Sequence, residues 1–161
     1  MRTKNKDFVH KSQSEFQNLE NLKIGIVVSE WNIDITSNLH KGAVEKLNEL
    51  GLKNERITSF WVPGAFELVY ACKELFKKKF DAIIAIGCVI KGETDHYDFI
   101  CNSVSNGLME LNASGSTPVI FCVLTDHNID QSIARSGGKK GNKGSEAAIA
   151  AIKMATFNNA I

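Results

Sequence analysis

From Leu22 onward, short apolar runs rich in β-branched residues alternate with amphipathic stretches. Leu22–Ser29 (LKIGIVVS) is continuously apolar rather than alternating, which predicts a strand buried on both faces. Ile35, Leu39, Ala43, Leu47 and Leu50 then recur at helical spacing over Asp34–Leu50, and Gly51 supplies a C-terminal stop. Leu52–Val62 predicts a second strand, and Pro63-Gly64 opens a helix carrying Phe66, Leu68, Val69, Cys72 and Leu75. Asp81–Gly87 (DAIIAIG) predicts a third strand, followed by a polar loop and a helix from near Asp98 to Leu111. Pro118–Thr125 predicts a fourth strand. Two helical segments follow, near Ile129–Arg135 and Ser145–Phe157, with a Gly/Lys-rich loop between them.

Strands that alternate with helices need crossover connections. The pattern therefore predicts a single α/β domain over residues 22–161, a three-layer α/β/α sandwich with a four-stranded parallel sheet. Residues 1–21 are polar and irregular and read as an N-terminal tail. No internal repeat or second domain is visible. Of 161 residues, 43 % are hydrophobic and 23 % charged, a balance that excludes disorder over most of the chain. Nineteen basic against 18 acidic residues leave a net charge of +1, which gives no bulk attraction to nucleic acid or anionic membrane. No apolar run reaches the roughly 20 residues a spanning helix needs, and the N-terminus lacks the apolar core of a secretory signal. Cys72, Cys88, Cys101 and Cys122 form no CxxC pair, so they read as reduced thiols rather than a disulfide framework or zinc site. A cytoplasmic location is expected.

In open parallel sheets, ligands bind beyond the carboxyl ends of the strands. The most informative segment there is Gly87–Asp98 (GCVIKGETDHYD), with two glycines, Thr94 and His96 just ahead of a helix. Free N–H groups and the helix dipole favour an anion at that point, and a histidine beside it is the side chain type best suited to moving protons there. A surface-loop histidine is the competing reading. Arg135–Gly144 (RSGGKKGNKG) holds four cations but lacks Walker spacing and a preceding strand. Its plain reading is a solvated loop, although Arg135 at a helix end could clamp a phosphate with its guanidinium fork. Trp31 and the segment Val62–Glu67 (VPGAFE) offer aromatic rings and a carboxylate at strand ends, where a flat heterocycle could stack; core packing is the alternative for Phe66. His10, His40 and His127 have no such context.

VPGAFE at 62–67, GCVIKGETDHYDFI at 87–100 and ARSGGKKGNKGSEAA at 134–148 together resemble the lumazine synthase family of riboflavin biosynthesis, with similarity running from about Ile24 to Met154. The resemblance implies a flavodoxin-like fold. It also implies a transferase reaction, condensing 5-amino-6-(D-ribitylamino)uracil with 3,4-dihydroxy-2-butanone 4-phosphate to give 6,7-dimethyl-8-ribityllumazine, phosphate and water. Trp31 takes the position of the ring-stacking aromatic. Ala65, Phe66 and Glu67 match the ribityl-side segment, and Cys88, Val89 and Ile90 match the backbone that reads the pyrimidine. Glu93 and Thr94 fall where the phosphate binds, with Arg135 as the other clamp, and His96 matches the catalytic proton-transfer residue. Phe121 matches an aromatic contributed by a neighbouring subunit, and Lys143 and Glu146 match further polar groups near the site. Trp31 and Asp95 stand where many members carry Phe and Pro or Thr. No cofactor and no metal are implied.

Within the same fold class, a flavodoxin-like electron carrier would need a Gly/Ser/Thr-rich loop after the first strand, where this chain has SEWNID. A phospho-receiver would need an aspartate where Gly87 stands. A shell-forming relative without activity would have no reason to keep Trp31, Thr94, His96 and Arg135 together. The resemblance further implies a homo-oligomer, a pentamer or a 60-subunit icosahedral shell, with riboflavin synthase as a candidate protein partner. Gly137–Asn142 is short, like the turn of shell-forming members. Phe8, Val9 and Phe16 give the tail the apolar residues to add a strand to a neighbouring subunit's sheet edge.

Overall fold

The structure is a computed structural model that describes residues 19–157. In chain order its elements are β1 (Ile24–Ser29), α1 (Ile33–Glu49), β2 (Ile57–Val62), α2 (Glu67–Leu75), β3 (Ala82–Ile90), α3 (His96–Ser114), β4 (Val119–Asp126), α4 (Ile129–Arg135), β5 (Ser136–Gly138), β6 (Gly141–Asn142) and α5 (Lys143–Ala155). Among the described residues no helix is long and apolar enough to cross a membrane.

The main sheet has strand order β2-β1-β3-β4, and every pairing in it is parallel. Side chains of β1 and β3 alternate between two cores, which makes the sandwich three-layered as expected. Ile24, Ile26, Val28, Ile84 and Ile86 pack with Leu39, Leu47 and Ile152 of α1 and α5. Val27, Ile83 and Ala85 pack with Leu68, Cys72, Val104 and Leu108 of α2 and α3. All six residues of β1 are buried, as its unbroken apolar run requires.

The α1 and α5 helices meet through small residues. A side chain at Gly42 would collide with the Asn142 amide, and one at Gly144 with the Leu39 carbonyl. Asn142 fills the gap: its Nδ2 donates to the Asn38 carbonyl at 2.8 Å, and its Oδ1 accepts the Gly144 N–H at 2.8 Å. Asn142 and Gly144 of the Gly/Lys-rich segment therefore serve helix packing.

Several expected boundaries move. The third strand does not stop at Gly87 but runs through Cys88, Val89 and Ile90, paired with Leu124, Thr125 and Asp126 of β4. The expected polar loop accordingly begins at Lys91, and the helix after it starts at His96 rather than near Asp98. Residues 54–56 form a 3-10 turn, so the second strand begins at Ile57 and not Leu52. The Gly/Lys-rich loop is an antiparallel ribbon, because left-handed Gly137 (φ 117°) and Gly141 (φ 77°) allow β5 to turn onto β6. Leu19–Asn21 forms a further 3-10 turn with Leu19 buried in the α1/α5 core. The remaining tail residues, including Phe8, Val9, His10 and Phe16, lie outside the described residues.

Candidate active site

The strand order reverses between β1 and β3, so the crevice at their carboxyl ends is the topological switch point of the sheet. Three hydrogen bonds build its floor. Glu30 N–H donates to the Val62 carbonyl at 2.8 Å and Trp31 N–H to the Pro63 carbonyl at 3.2 Å, which ties the ends of β1 and β2. Asn32 adopts the left-handed conformation (φ 58°, ψ 48°), which asparagine tolerates better than most residues, and its Nδ2 donates to the Cys88 carbonyl at 2.9 Å. Trp31 is 73 % exposed and Phe66 55 % exposed, so neither ring is a core residue. An ideal Cβ on Gly64 would lie 3.3 Å from the Trp31 ring and 3.0 Å from a Glu67 carboxylate oxygen, so glycine lets these two groups close over the loop. Ala65 is buried against Gly87, while Glu67 is exposed at the first turn of α2. An open cavity of about 610 Å³ lies here, lined by Glu30, Trp31, Asn32, Asp34, Pro63 and Ile129.

Cys88 is buried at the end of β3, with Val89 and Ile90 half-buried beyond it. Lys91 N–H donates to the Asp126 carbonyl at 2.9 Å, which continues the ladder into β4. Gly92, Glu93, Thr94 and Asp95 are exposed, and His96, also exposed, is the first residue of α3. Asp95 takes the cap position without capping through its side chain; its carbonyl accepts the Asp98 and Phe99 N–H groups, which leaves those of His96 and Tyr97 to face an anion. Lys91 Nζ stands 5.8 Å from the centre of the Tyr97 ring. Burial is the main reason the Tyr97 phenol is held above its ordinary 10; its bonds to Cys101 and Thr125 push in opposite directions.

Phe121, Arg135, Lys143 and Glu146 lie elsewhere. They line a cavity of about 550 Å³ along the outer edge of β4, the last strand of the sheet among the described residues, together with Thr125 and Asp126. Phe121 is 46 % exposed on that edge. Lys143 Nζ donates to Glu146 Oε2 at 2.6 Å, so these two groups form a pair on α5. Arg135 Nη1 donates to the Gln131 carbonyl at 2.8 Å and lies 3.7 Å from Asp126 Oδ1. Within one chain the structure thus gathers Trp31, Ala65, Phe66, Glu67 and Cys88–Ile90 at the ends of β1–β3, with Glu93, Thr94 and His96 on the segment that follows. The second group has its own cavity, and the two cavities share no lining residue.

A family model described as 6,7-dimethyl-8-ribityllumazine synthase matches residues 21–159. A protein of that name from Christiangramia forsetii is 51 % identical over 157 residues, covering 96 % of this chain and 94 % of the relative. One from Flavobacterium johnsoniae is 51 % identical over 96 % of this chain and 82 % of its own length. A third, from Cytophaga hutchinsonii, is 52 % identical over 87 % of this chain and 89 % of its own length. The chain belongs to the 6,7-dimethyl-8-ribityllumazine synthase family. The expected family and the flavodoxin-like sheet are therefore both met.

Sequence reasoning from the lumazine synthase motifs singled out neither Asn32 nor the buried pair Asp126 and Ser132. Asp126 Oδ2 accepts the Ser132 hydroxyl at 2.9 Å, and the Cys88 thiol donates to Ser132 Oγ at 3.5 Å. Burial chiefly raises the Cys88 thiol above its ordinary 9, with Asp126 adding to the rise and Ser132 opposing it, so it stays protonated at neutral pH. The available signal was an aspartate directly at the end of an apolar strand, where a charge is seldom buried without a partner.

Proposed function

We infer that the two groups of residues are two halves of one composite site, each half completed by a neighbouring copy of the chain. The chain catalyses the family's reaction: condensation of 5-amino-6-(D-ribitylamino)uracil with 3,4-dihydroxy-2-butanone 4-phosphate to 6,7-dimethyl-8-ribityllumazine, phosphate and water. In this reading Trp31 stacks on the pyrimidine while Ala65, Phe66 and Glu67 meet the ribityl chain. Main-chain groups of Cys88, Val89 and Ile90 read the heterocycle's polar edge. The start of α3, with Glu93 and Thr94, receives the phosphate. Across the subunit boundary, Phe121 closes over the ring, Arg135 clamps the phosphate, and the Lys143–Glu146 pair supports the polar rim.

The chemistry follows from that placement. The substrate amine attacks the ketone, water leaves as a Schiff base forms, phosphate departs, and ring closure expels a second water. His96 moves the protons, a contribution typically of about 10²–10⁴-fold. Holding two substrates in register supplies an entropic advantage, and cationic and N–H donors stabilise the departing phosphate.

The observation that supports the composite site is the separation of the Trp31 cavity from the Phe121–Arg135 cavity within a single chain. A second supporting feature is that half-exposed Phe121 sits on the strand that ends the sheet among the described residues, an edge that a neighbour would cover. The homo-oligomer is a pentamer at minimum and a 60-subunit shell in full, acting in the cytoplasm, with residues 22–161 as its building domain. Riboflavin synthase remains its candidate partner. Subunit mixing tests this. His96→Ala and Arg135→Ala chains, each strongly impaired alone, should regain activity in co-assembled oligomers, because about a quarter of the interfaces then pair two intact halves. No recovery in verified mixed oligomers would place both residues in one subunit's site.

A further inference from the structure

One buried polar chain of contacts runs from Cys88 through Ser132 to Asp126. This residue ends β4 and is 6 % exposed, yet among the described residues its carboxylate faces just one cation. Oδ2 takes the Ser132 hydroxyl at 2.9 Å, and Oδ1 lies 3.7 Å from Arg135 Nη1. Ser132 is itself wholly buried and receives the Cys88 thiol at 3.5 Å. The same Nη1 donates to the Gln131 carbonyl at 2.8 Å, so one hydrogen bond and one ion-pair contact hold one corner of the guanidinium. Neither acceptor uses the Nε–H and Nη2–H edge, which is the edge that grips an oxyanion with two parallel bonds.

A buried carboxylate beside an anion-binding arginine has two opposing effects. Its charge repels a bound phosphate through a medium of reduced dielectric. Its geometry holds a long side chain in one rotamer and spares that ordering cost at each binding event. We propose that Asp126 is a positioning residue for Arg135: anchored by Ser132, its carboxylate pins Nη1 so that the Nε–Nη2 edge is presented to the phosphorylated substrate. The chain of contacts also ties this anchor to Cys88, where the carbonyl holds Asn32 in place beside Trp31. The proposal rests on the reading of Arg135 as the phosphate clamp.

Steady-state kinetics of the full assembled protein separate the possibilities, because charge and geometry predict opposite signs. Asp126→Ala should raise KM for 3,4-dihydroxy-2-butanone 4-phosphate roughly tenfold and leave KM for the pyrimidine within about twofold, the size expected when a partly buried ion pair that orders the guanidinium is lost. Asp126→Asn keeps an oxygen acceptor for Ser132 and Arg135 and should recover most of that loss. Ser132→Ala should move KM the same way by about twofold to threefold, and it carries the test if Asp126→Ala fails to assemble. In an Arg135→Ala background, neither change should matter further. Tighter binding of the phosphorylated substrate in Asp126→Ala, or equal loss for both substrates, overturns the proposal while leaving Arg135 as the clamp. An Arg135→Ala protein with unchanged KM for the phosphorylated substrate removes the clamp reading itself, and the proposal falls with it.

Discussion

The Asn32 side-chain amide donates to the Cys88 carbonyl at 2.9 Å, bridging β1 and β3 where the strand order reverses. One residue thereby closes the switch-point crevice and fixes the turn from which Trp31 projects. Asn32 also holds a left-handed backbone, so its two duties can be separated by substitution.

Asn32→Ala should lose both the bridge and the tolerance for positive φ, lowering stability by about 2 kcal/mol. Asn32→Gly keeps the conformational freedom and should cost less. Both should raise KM for the pyrimidine, because Trp31 loses its support. Thermal melts and substrate titrations check the ordering; equal melting points for the two variants would mean that the backbone conformation carries no weight.

His96 stands exposed at the start of α3, where a packing role is slight. His96→Ala should lower kcat at least about a hundredfold with little change in melting temperature, reducing kcat and kcat/KM together. A variant with wild-type kcat between about pH 6 and 8 would transfer the proton-moving role to another group.

The strand pattern and the functional chemistry were legible in the sequence to different depths. The unbroken apolar runs of β1 and β3 announced a parallel sheet buried on both faces, and glycine and proline marked where it paused. The end of β3 was misplaced because Cys88, Val89 and Ile90 look alike in a strand or a loop-lining segment; only their pairing with Leu124, Thr125 and Asp126 decides. The Gly/Lys-rich segment looked like solvated charge, since nothing local reveals that Asn142 bonds to Asn38, 104 residues away. The motifs named Arg135, and the aspartate ending the apolar run of β4 hinted at a buried charge, but that the two meet shows only in tertiary contact.

Burial holds the His40 imidazole below its ordinary 6.5, with Nε2 bonded to the Ser59 hydroxyl at 2.7 Å and the Trp61 ring 5.7 Å away. The folded state therefore favours the neutral ring. As pH falls through 6.5 the unfolded chain takes up the proton first, so stability is untouched above that value and declines below it until the folded ring also titrates. Melting temperatures from about pH 7.5 to 5 should fall less steeply for His40→Gln than for the wild type. Parallel curves would show that His40 contributes nothing to the acid loss.

Assembly is the premise of the composite site. Sedimentation of untagged protein should give a pentamer or a closed shell, and the smallest active species should be the pentamer. A stable monomer with full activity would mean that Phe121 and Arg135 serve their own subunit's site.

The joining of the two substrates with loss of phosphate can be watched directly. Purified protein mixed with 5-amino-6-(D-ribitylamino)uracil and 3,4-dihydroxy-2-butanone 4-phosphate should develop the lumazine absorbance band, with one phosphate released per lumazine formed and a rate proportional to enzyme. Phosphate release without the band, or a band growing no faster than in the protein-free mixture, would contradict it.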